Sequence, residues 1–363
     1  MKRHLRAAVL GTLFVIVAVP AAVRGDLFYQ QQNLMSSVND PDMINPWGIS
    51  ESGAGPFWVS DNGTGKSTLY NSAGSKLGLV VSMPVGSEPI TGQVFNGTAN
   101  FNGDTFLFAS ENGTIAGWRG ALGTNAERLF SITNAVYKGL AISADKSTLY
   151  AADFRTGAIA VFTSGSSSVT SFSDTSAPAG YAPFNIQNIG GKLYVTYGLQ
   201  DAAKHDDVKG VGNGLVSVFD PVSHTFARLI TGSNAGGTVA ALNSPWGIAV
   251  APGSFGLFAN DLLVGNFGDG LINAFDPTTG ALLGTLKDAN GANLVNPGLW
   301  GLQFGNGGNG GNSNNLYFAA GGAAEDRGLF GQIRAVPEPS SFVLLGVGGA
   351  ILYRLRRRNV PKS

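Results

Sequence analysis

Short apolar or alternating runs recur along most of this chain, and Gly, Asp, Asn or Pro repeatedly interrupt them. In one stretch Ile248-Ala249-Val250 leads into a Gly-Pro loop, then Asp261-Leu262-Leu263-Val264-Gly265. An alternating run from Leu271 to Phe275 follows, Asp276-Pro277 turns the chain, and Ala281 to Leu286 closes the segment. Four half-buried strands separated by turn residues are the expected outcome. Leu140-Ala141-Ile142, Leu149 to Ala152, Ala158 to Phe162 and a Ser-rich stretch repeat the scheme. No window of similar length carries a 3.6-residue apolar period, and 53 glycines in 363 residues disfavour long helices.

The strand groups recur behind a common start. Asn45-Pro46-Trp47-Gly48-Ile49 returns as Ser244-Pro245-Trp246-Gly247-Ile248 and as Gly298-Leu299-Trp300-Gly301-Leu302. Weaker copies place Gly92, Gly139 and Asn185 in the same column as Gly48, Gly247 and Gly301. The spacings are 44, 47, 46, 62 and 54 residues, the period of a propeller blade. The sequence therefore predicts an all-β fold: a six-bladed β-propeller of four-stranded blades, with units starting near residues 45, 88, 135, 181, 243 and 298. The sixth unit holds only three strand signals. The stretch Leu27 to Met35 is therefore expected to supply its outer strand and close the ring. The stretches Trp47 to Asp61, Lys138 to Phe162 and Trp246 to Phe275 resemble NHL-type propellers.

Both ends depart from this pattern. Lys2, Arg3 and Arg6 precede an apolar run from Ala7 to Val19 and the small residues Pro20, Ala21 and Ala22, the layout of a signal peptide. Signal peptidase is expected to cut between Ala22 and Asp26, so residues 1–25 form the leader and 26–335 the propeller. Residues 336–363 carry Pro337-Glu338-Pro339, then twelve uncharged residues from Phe342 to Tyr353, then Arg354, Arg356, Arg357 and Arg358. Twelve residues make roughly 18 Å of helix. That is short for a span, so a single hydrophobic helix over about 341–353 must rely on its flanking side chains reaching outward. The arginines are expected to stay on the cytoplasmic side.

This order resembles the PEP-CTERM sorting signal of exported bacterial proteins, which implies recognition by an exosortase and a place at the cell surface or outside the cell. From about Leu34 to Pro339 the chain is similar to an uncharacterised bacterial family that joins a propeller to such a tail. No reaction comes with that resemblance.

Charge narrows the partners. Four basic residues lie in the leader, and five lie in the tail with Glu338. The body keeps 14 basic and 22 acidic residues, a net of −8. An acidic body argues against nucleic acid, whose affinity rests on phosphate neutralisation. Cysteine is absent, which removes disulfides, thiolate metal sites and cysteine nucleophiles.

Candidate chemistry gathers where strand two of each unit ends, at the mouth where strand one begins. That column reads Asp61, Glu111, Asp153, Tyr197, Asn266 and Ala320. Its carboxylates, with carbonyl oxygens from Asn185 and Asn266, could hold Ca²⁺, which takes oxygen ligands. Related six-bladed propeller hydrolases place a metal in such a position. Asp61-Asn62-Gly63 and Glu111-Asn112-Gly113 are equally good turn sequences. The 62-residue spacing reflects a long loop, Leu199 to Gly214, with Asp201, His205, Asp206 and Asp207. There a histidine beside carboxylates could serve as base or ligand, or could simply be solvated. Trp47, Trp246 and Trp300 could stack on a sugar, or could pack between blades. Gly63-Thr64-Gly65-Lys66-Ser67 is no P-loop, because the required earlier glycine is Ser60. Gly305 to Gly310 fits Gly-x-Gly-x-x-Gly but opens no helix. Two function classes remain: a non-catalytic binder of polysaccharide or envelope proteins, and a calcium-dependent hydrolase of lactonase or esterase type.

Overall fold

The computed structural model describes residues 28–336. The expected leader, and the sorting motif with Pro337, Glu338, Pro339 and Arg354 to Arg358, lie outside the described residues. Among those described, no helix is long and apolar enough to cross a membrane.

Twenty-four strands form six antiparallel four-stranded sheets. The first strand, β1 (Phe28–Ser36), precedes the blades. Blade I is β2 (Pro46–Glu51), β3 (Phe57–Asp61), β4 (Lys66–Tyr70) and β5 (Lys76–Ser82). Blade II is β6 (Ile90–Phe95), β7 (Phe106–Ser110), β8 (Thr114–Trp118) and β9 (Glu127–Ser131). Blade III is β10 (Tyr137–Ile142), β11 (Thr148–Asp153), β12 (Ala158–Thr163) and β13 (Val169–Phe172). Blade IV is β14 (Tyr181–Ile189), β15 (Lys192–Leu199), β16 (Leu215–Phe219) and β17 (Phe226–Thr231). Blade V is β18 (Pro245–Val250), β19 (Leu262–Asn266), β20 (Ile272–Phe275) and β21 (Leu282–Thr285). Blade VI is β22 (Leu299–Phe304), β23 (Leu316–Ala320) and β24 (Leu329–Val336), completed by β1 on its outer edge. The six-bladed propeller expected from the repeats is the observed fold, and the N-terminal stretch closes it as expected.

Closure depends on side chains as well as on the ladder. Tyr29 of β1 is buried, packs against Phe255 and Phe258, and donates its hydroxyl to the Phe255 carbonyl at 3.1 Å. The same hydroxyl accepts the Phe258 N–H, so the closing strand is bonded to blade V as well as to blade VI. Burial pushes the Tyr29 phenol up to about 12, so it stays a donor at every physiological pH.

The glycine column has a steric cause. The first strands of neighbouring blades meet at the axis, and a Cβ there would strike the next backbone. On Gly48, Gly247 and Gly301 it would lie 2.5–2.6 Å from the carbonyl oxygens of Thr91, Trp300 and Trp47. On Gly92 it would press on the Leu140 amide, and on Gly139 on Asn185. Asn185, the one non-glycine of the column, donates its amide to the Trp246 carbonyl at 2.8 Å. A side-chain bond thus links blades IV and V, as Gln93 to the Gly48 carbonyl and Thr91 to the Tyr137 carbonyl do at the first two junctions.

Candidate functional site

The residue before each column position builds the plug of the channel. These are Trp47, Thr91, Lys138, Phe184, Trp246 and Trp300. Trp47 stacks on Trp300 with ring centroids 3.6 Å apart, Phe267 stacks on the Trp300 ring at 3.9 Å, and Trp246 meets Trp47 and Trp300 edge-on. Phe154 and Phe184 complete an apolar cluster drawn from different blades. Aromatic pairs of this geometry contribute about 0.5–1.5 kcal/mol each beyond their burial. The Trp246 indole donates to the Lys138 carbonyl at 3.0 Å and the Trp300 indole to Asn45 Oδ1 at 2.9 Å.

Lys138 is the exception in this aromatic layer. Its side chain is 2 % exposed, and its Nζ lies 5.2 Å from the Trp47 ring centroid and 6.0 Å from that of Phe154. A buried ammonium must be paired. Glu111 Oε1 and Asp206 Oδ1, the latter at 3.1 Å, accept from it. Burial alone would depress the lysine pKa, but the two carboxylates more than offset it and hold the group above its ordinary value. The network continues in both directions. Glu111 Oε2 accepts from Asn62 at 3.1 Å, and Asn45 reaches Asn62 at 3.4 Å and Glu325 at 3.0 Å. On the other side Asp206 Oδ1 meets His205 Nδ1 at 3.0 Å. A continuous polar chain thus runs around one mouth above an aromatic floor.

The long loop supplies much of the rim. Gln200 donates its amide to the Phe154 carbonyl, and Gly210 N–H reaches Asn243 Oδ1 at 2.7 Å, so the loop is bonded down across the mouth. Asp201 Oδ1 accepts the N–H groups of His205 at 2.8 Å and Asp206 at 3.2 Å, an Asx-type turn that shapes the loop. The Asp206 side chain is mostly exposed; the desolvation it does meet raises its pKa, yet Lys138 and His205 hold the carboxyl below the ordinary range. Asp207 and Glu325 are pushed upward by burial. Lys209 lies with its Nζ 3.9 Å from the Phe267 ring centroid. Charges of both signs and several amides therefore face one opening.

The residues expected to form a calcium ring separate into two groups. Strand register pairs Pro46 with Asp61, Ile90 with Ser110, Tyr137 with Asp153 and Pro245 with Asn266. Ser110, not Glu111, is therefore the counterpart of Asp61, and a one-residue offset turns a strand side chain to the opposite face. Asp61 is fully buried within blade I, accepts from Thr68 at 2.6 Å, and is pushed well above the carboxylate range by burial. Asp153 Oδ1 accepts the N–H groups of Val136, Arg155 and Thr156 and so caps its own turn. Asn266 donates to the Ala241 carbonyl at 2.8 Å. Only Glu111 reaches the mouth, where it comes together with His205 and Asp206. That trio lies within ligand distance of one another, but the Lys138 ammonium is bonded to two of its three members. The donor set does not fit Ca²⁺, which favours oxygen ligands and cannot share its place with a fixed cation. The tryptophans, at 2 %, 4 % and 1 % exposure for Trp47, Trp246 and Trp300, turn their faces to other rings. They seal the channel and offer no open face to a sugar.

A six-bladed propeller with a plugged axis, one charged mouth and a sorting tail is the class these features define. Residues 335–358 match the PEP-CTERM protein-sorting motif, which implies export and exosortase-mediated sorting at a membrane. The chain is 35 % identical over 288 residues to "Uncharacterized protein R648" of Acanthamoeba polyphaga mimivirus, covering 72 % of this chain and 69 % of that protein. It is 33 % identical over 296 residues to "Uncharacterized protein L690" of the same virus, covering 75 % and 76 %. The chain belongs to the family of these proteins. Among solved structures, virginiamycin B lyase from Staphylococcus aureus superposes with a TM-score of 0.52 at 12 % identity, covering 86 % of this chain and all of that one. A luciferin-regenerating enzyme gives 0.52 at 13 % identity, covering 80 % and 91 %. At such identity the likeness is one of fold.

Proposed function

We propose that this protein is an exported surface or matrix propeller that binds a charged, hydroxyl-bearing ligand of polysaccharide type at the Lys138 mouth. The observation that carries this reading is the buried ammonium of Lys138, which orders Glu111 and Asp206 above a sealed aromatic floor. Held protonated by two carboxylates, it has no free lone pair for nucleophilic chemistry, and it costs less desolvation when fully paired. Its role is to fix a polar surface on which Asp206 and Lys209 present charges, and His205 a hydrogen-bonding ring, to a ligand.

The export reading assigns residues 1–25 to a leader cut by signal peptidase, 26–335 to the propeller and 336–363 to the sorting signal with its membrane segment over about 341–353. Phe304, Leu316, Ile333 and Gln31 form one row at the far end of blade VI, and Val336 lies beyond it. β24 therefore ends on the side of the axis opposite Lys138.

Binding of the purified full-length protein to an array of acidic, amino-bearing and neutral glycans tests this. Charged glycans are expected to give signals that fall with added salt and disappear in Lys138→Met; neutral glycans alone binding, with Lys138→Met unchanged, would refute it. A second reading, hydrolysis with His205 as general base, is favoured by its bond to Asp206. It predicts turnover of ester or lactone substrates that His205→Ala abolishes.

A further inference from the structure

The sorting motif and the last strand of the ring overlap. The PEP-CTERM match begins at residue 335, whereas β24 runs on to Val336. β24 pairs with β23 only as far as Ile333, which stands opposite Leu316. Beyond that point Arg334, Ala335 and Val336 pair with Gln30, Tyr29 and Phe28 of β1. Among the described residues no strand pairs with these three on their other side. The first residues of the motif are therefore held in the sheet by β1 alone.

The two sides of this corner are fixed to different degrees. Phe330 and Ile333 are fully buried and anchor β24 in the core up to that row. Arg334 is exposed, and Ala335 and Val336 are half-buried, so drawing these three out of the sheet wets little new apolar surface. β1 is held more firmly. Tyr29 contributes its ring and hydroxyl to blade V, and its N–H donates to the Lys287 carbonyl at 2.9 Å. Gln30 Oε1 accepts from the Arg334 guanidinium at 2.6 and 3.1 Å. Downstream, only Pro337 to Ser341 separate Val336 from the apolar run that starts at Phe342. Enzymes that take a peptide as an added strand read its main-chain N–H and C=O groups. Pro337 and Pro339 have no N–H to give, so the nearest upstream donors are those of Arg334, Ala335 and Val336. Those are the residues that β1 covers.

We infer that β1 gates sorting: its pairing with Arg334, Ala335 and Val336 withholds the upstream side of the motif from the exosortase, and fraying of this corner presents those residues as a free strand. Sheet corners open locally at far lower cost than the whole fold. The rate of sorting then follows the fraction of time the corner is open, and weaker closure means faster processing. Cleavage belongs to the enzyme; β1 controls only the presentation of its substrate. The inference rests on the sorting part of the function proposed above and is independent of Lys138.

Pulse–chase of the full chain in an exosortase-bearing bacterium, beside the same strain without that enzyme, tests it by following conversion to a form shortened at its C-terminus. Gln30→Ala, a change at an exposed side chain, should speed conversion. Tyr29→Phe should speed it about tenfold, as the loss of one or two net hydrogen bonds shifts an opening equilibrium. Gln30→Cys combined with Arg334→Cys joins two directly opposed positions, both outside the matched motif, in a chain with no other cysteine. The disulfide-closed form is expected to stay unprocessed, and reduction to restore conversion, which excludes a folding defect. Inserting six Gly-Ser residues between Val336 and Pro337 supplies free strand outside the ladder. Conversion should then be equally fast with and without the disulfide. Processing of the disulfide-closed chain at the unmodified rate, or a block that persists after the insertion, overturns the inference. Absence of enzyme-dependent shortening in every form overturns the sorting reading itself, and the inference with it.

Discussion

Replacing Gly92 by alanine tests the packing at the axis most sharply. The added Cβ would press on the backbone of Gly139 and Leu140 in the next blade, and neither atom can rotate away. Gly301→Ala repeats the perturbation across the closing junction, 2.5 Å from the Trp47 carbonyl oxygen. Overpacking of this kind costs about 1–3 kcal/mol, and backbone obstacles place it at the upper end. Alanine also reduces the freedom of the unfolded chain, returning about 0.4–1 kcal/mol. For residues 28–336 the unfolding entropy is about 0.65 kcal/mol per kelvin. A net loss of about 2 kcal/mol therefore lowers Tm by about 3 °C. Gly120→Ala is the control, because its Cβ meets nothing within 4 Å and its backbone is not left-handed. Differential scanning calorimetry of the three variants is the assay. If Gly92→Ala and Gly301→Ala melt with Gly120→Ala, blade contact at the axis is not the reason for the glycine column.

Four further outcomes follow from the same contacts. Tyr29→Ala removes the anchor of the closing strand and should cost about 3–5 kcal/mol, with early hydrogen exchange in residues 28–36. Lys138→Met leaves Glu111 without its cation; since Asp206 is 67 % exposed, the loss should be about 2 kcal/mol, below that of a wholly buried pair. Asp61 and Glu51 are acids raised by burial: the fold keeps their protons while the unfolded chain releases them, so stability falls as pH rises from about 4. For Glu51 that decline ends near pH 8, and Asp61→Asn should flatten the slope of Tm against pH. Added calcium or a chelator should move Tm by less than about 1 °C, because the Lys138 ammonium is bonded where a cation would sit.

The blades could be read from the chain because each repeats a steric demand. Glycine is required wherever inner strands touch, and Asp or Asn with Gly wherever a hairpin turns. The mouth was less legible. Asp61-Asn62-Gly63 and Glu111-Asn112-Gly113 look equivalent, yet β3 and β4 are joined through Asn62 to Gly65 while β7 and β8 are joined through Glu111 to Gly113. That single extra residue puts Asp61 in the sheet interior and Glu111 at the opening. Lys138 does carry a signal in the sequence. It occupies the position held by Trp47, Phe184, Trp246 and Trp300, and a lysine in an aromatic column calls for a buried counter-charge. Its partner Asp206 comes from the long loop of blade IV, and no repeat rule places that loop over blade III.

Hydrogen exchange with and without a charged glycan identified on the array would test the central claim most directly. Protection is expected in the peptides holding Glu111, Lys138 and the 199–214 loop, and should vanish in Lys138→Met. Protection confined to the opposite end of the axis, or the same pattern in that variant, would show that the lysine-centred mouth is not where the ligand sits.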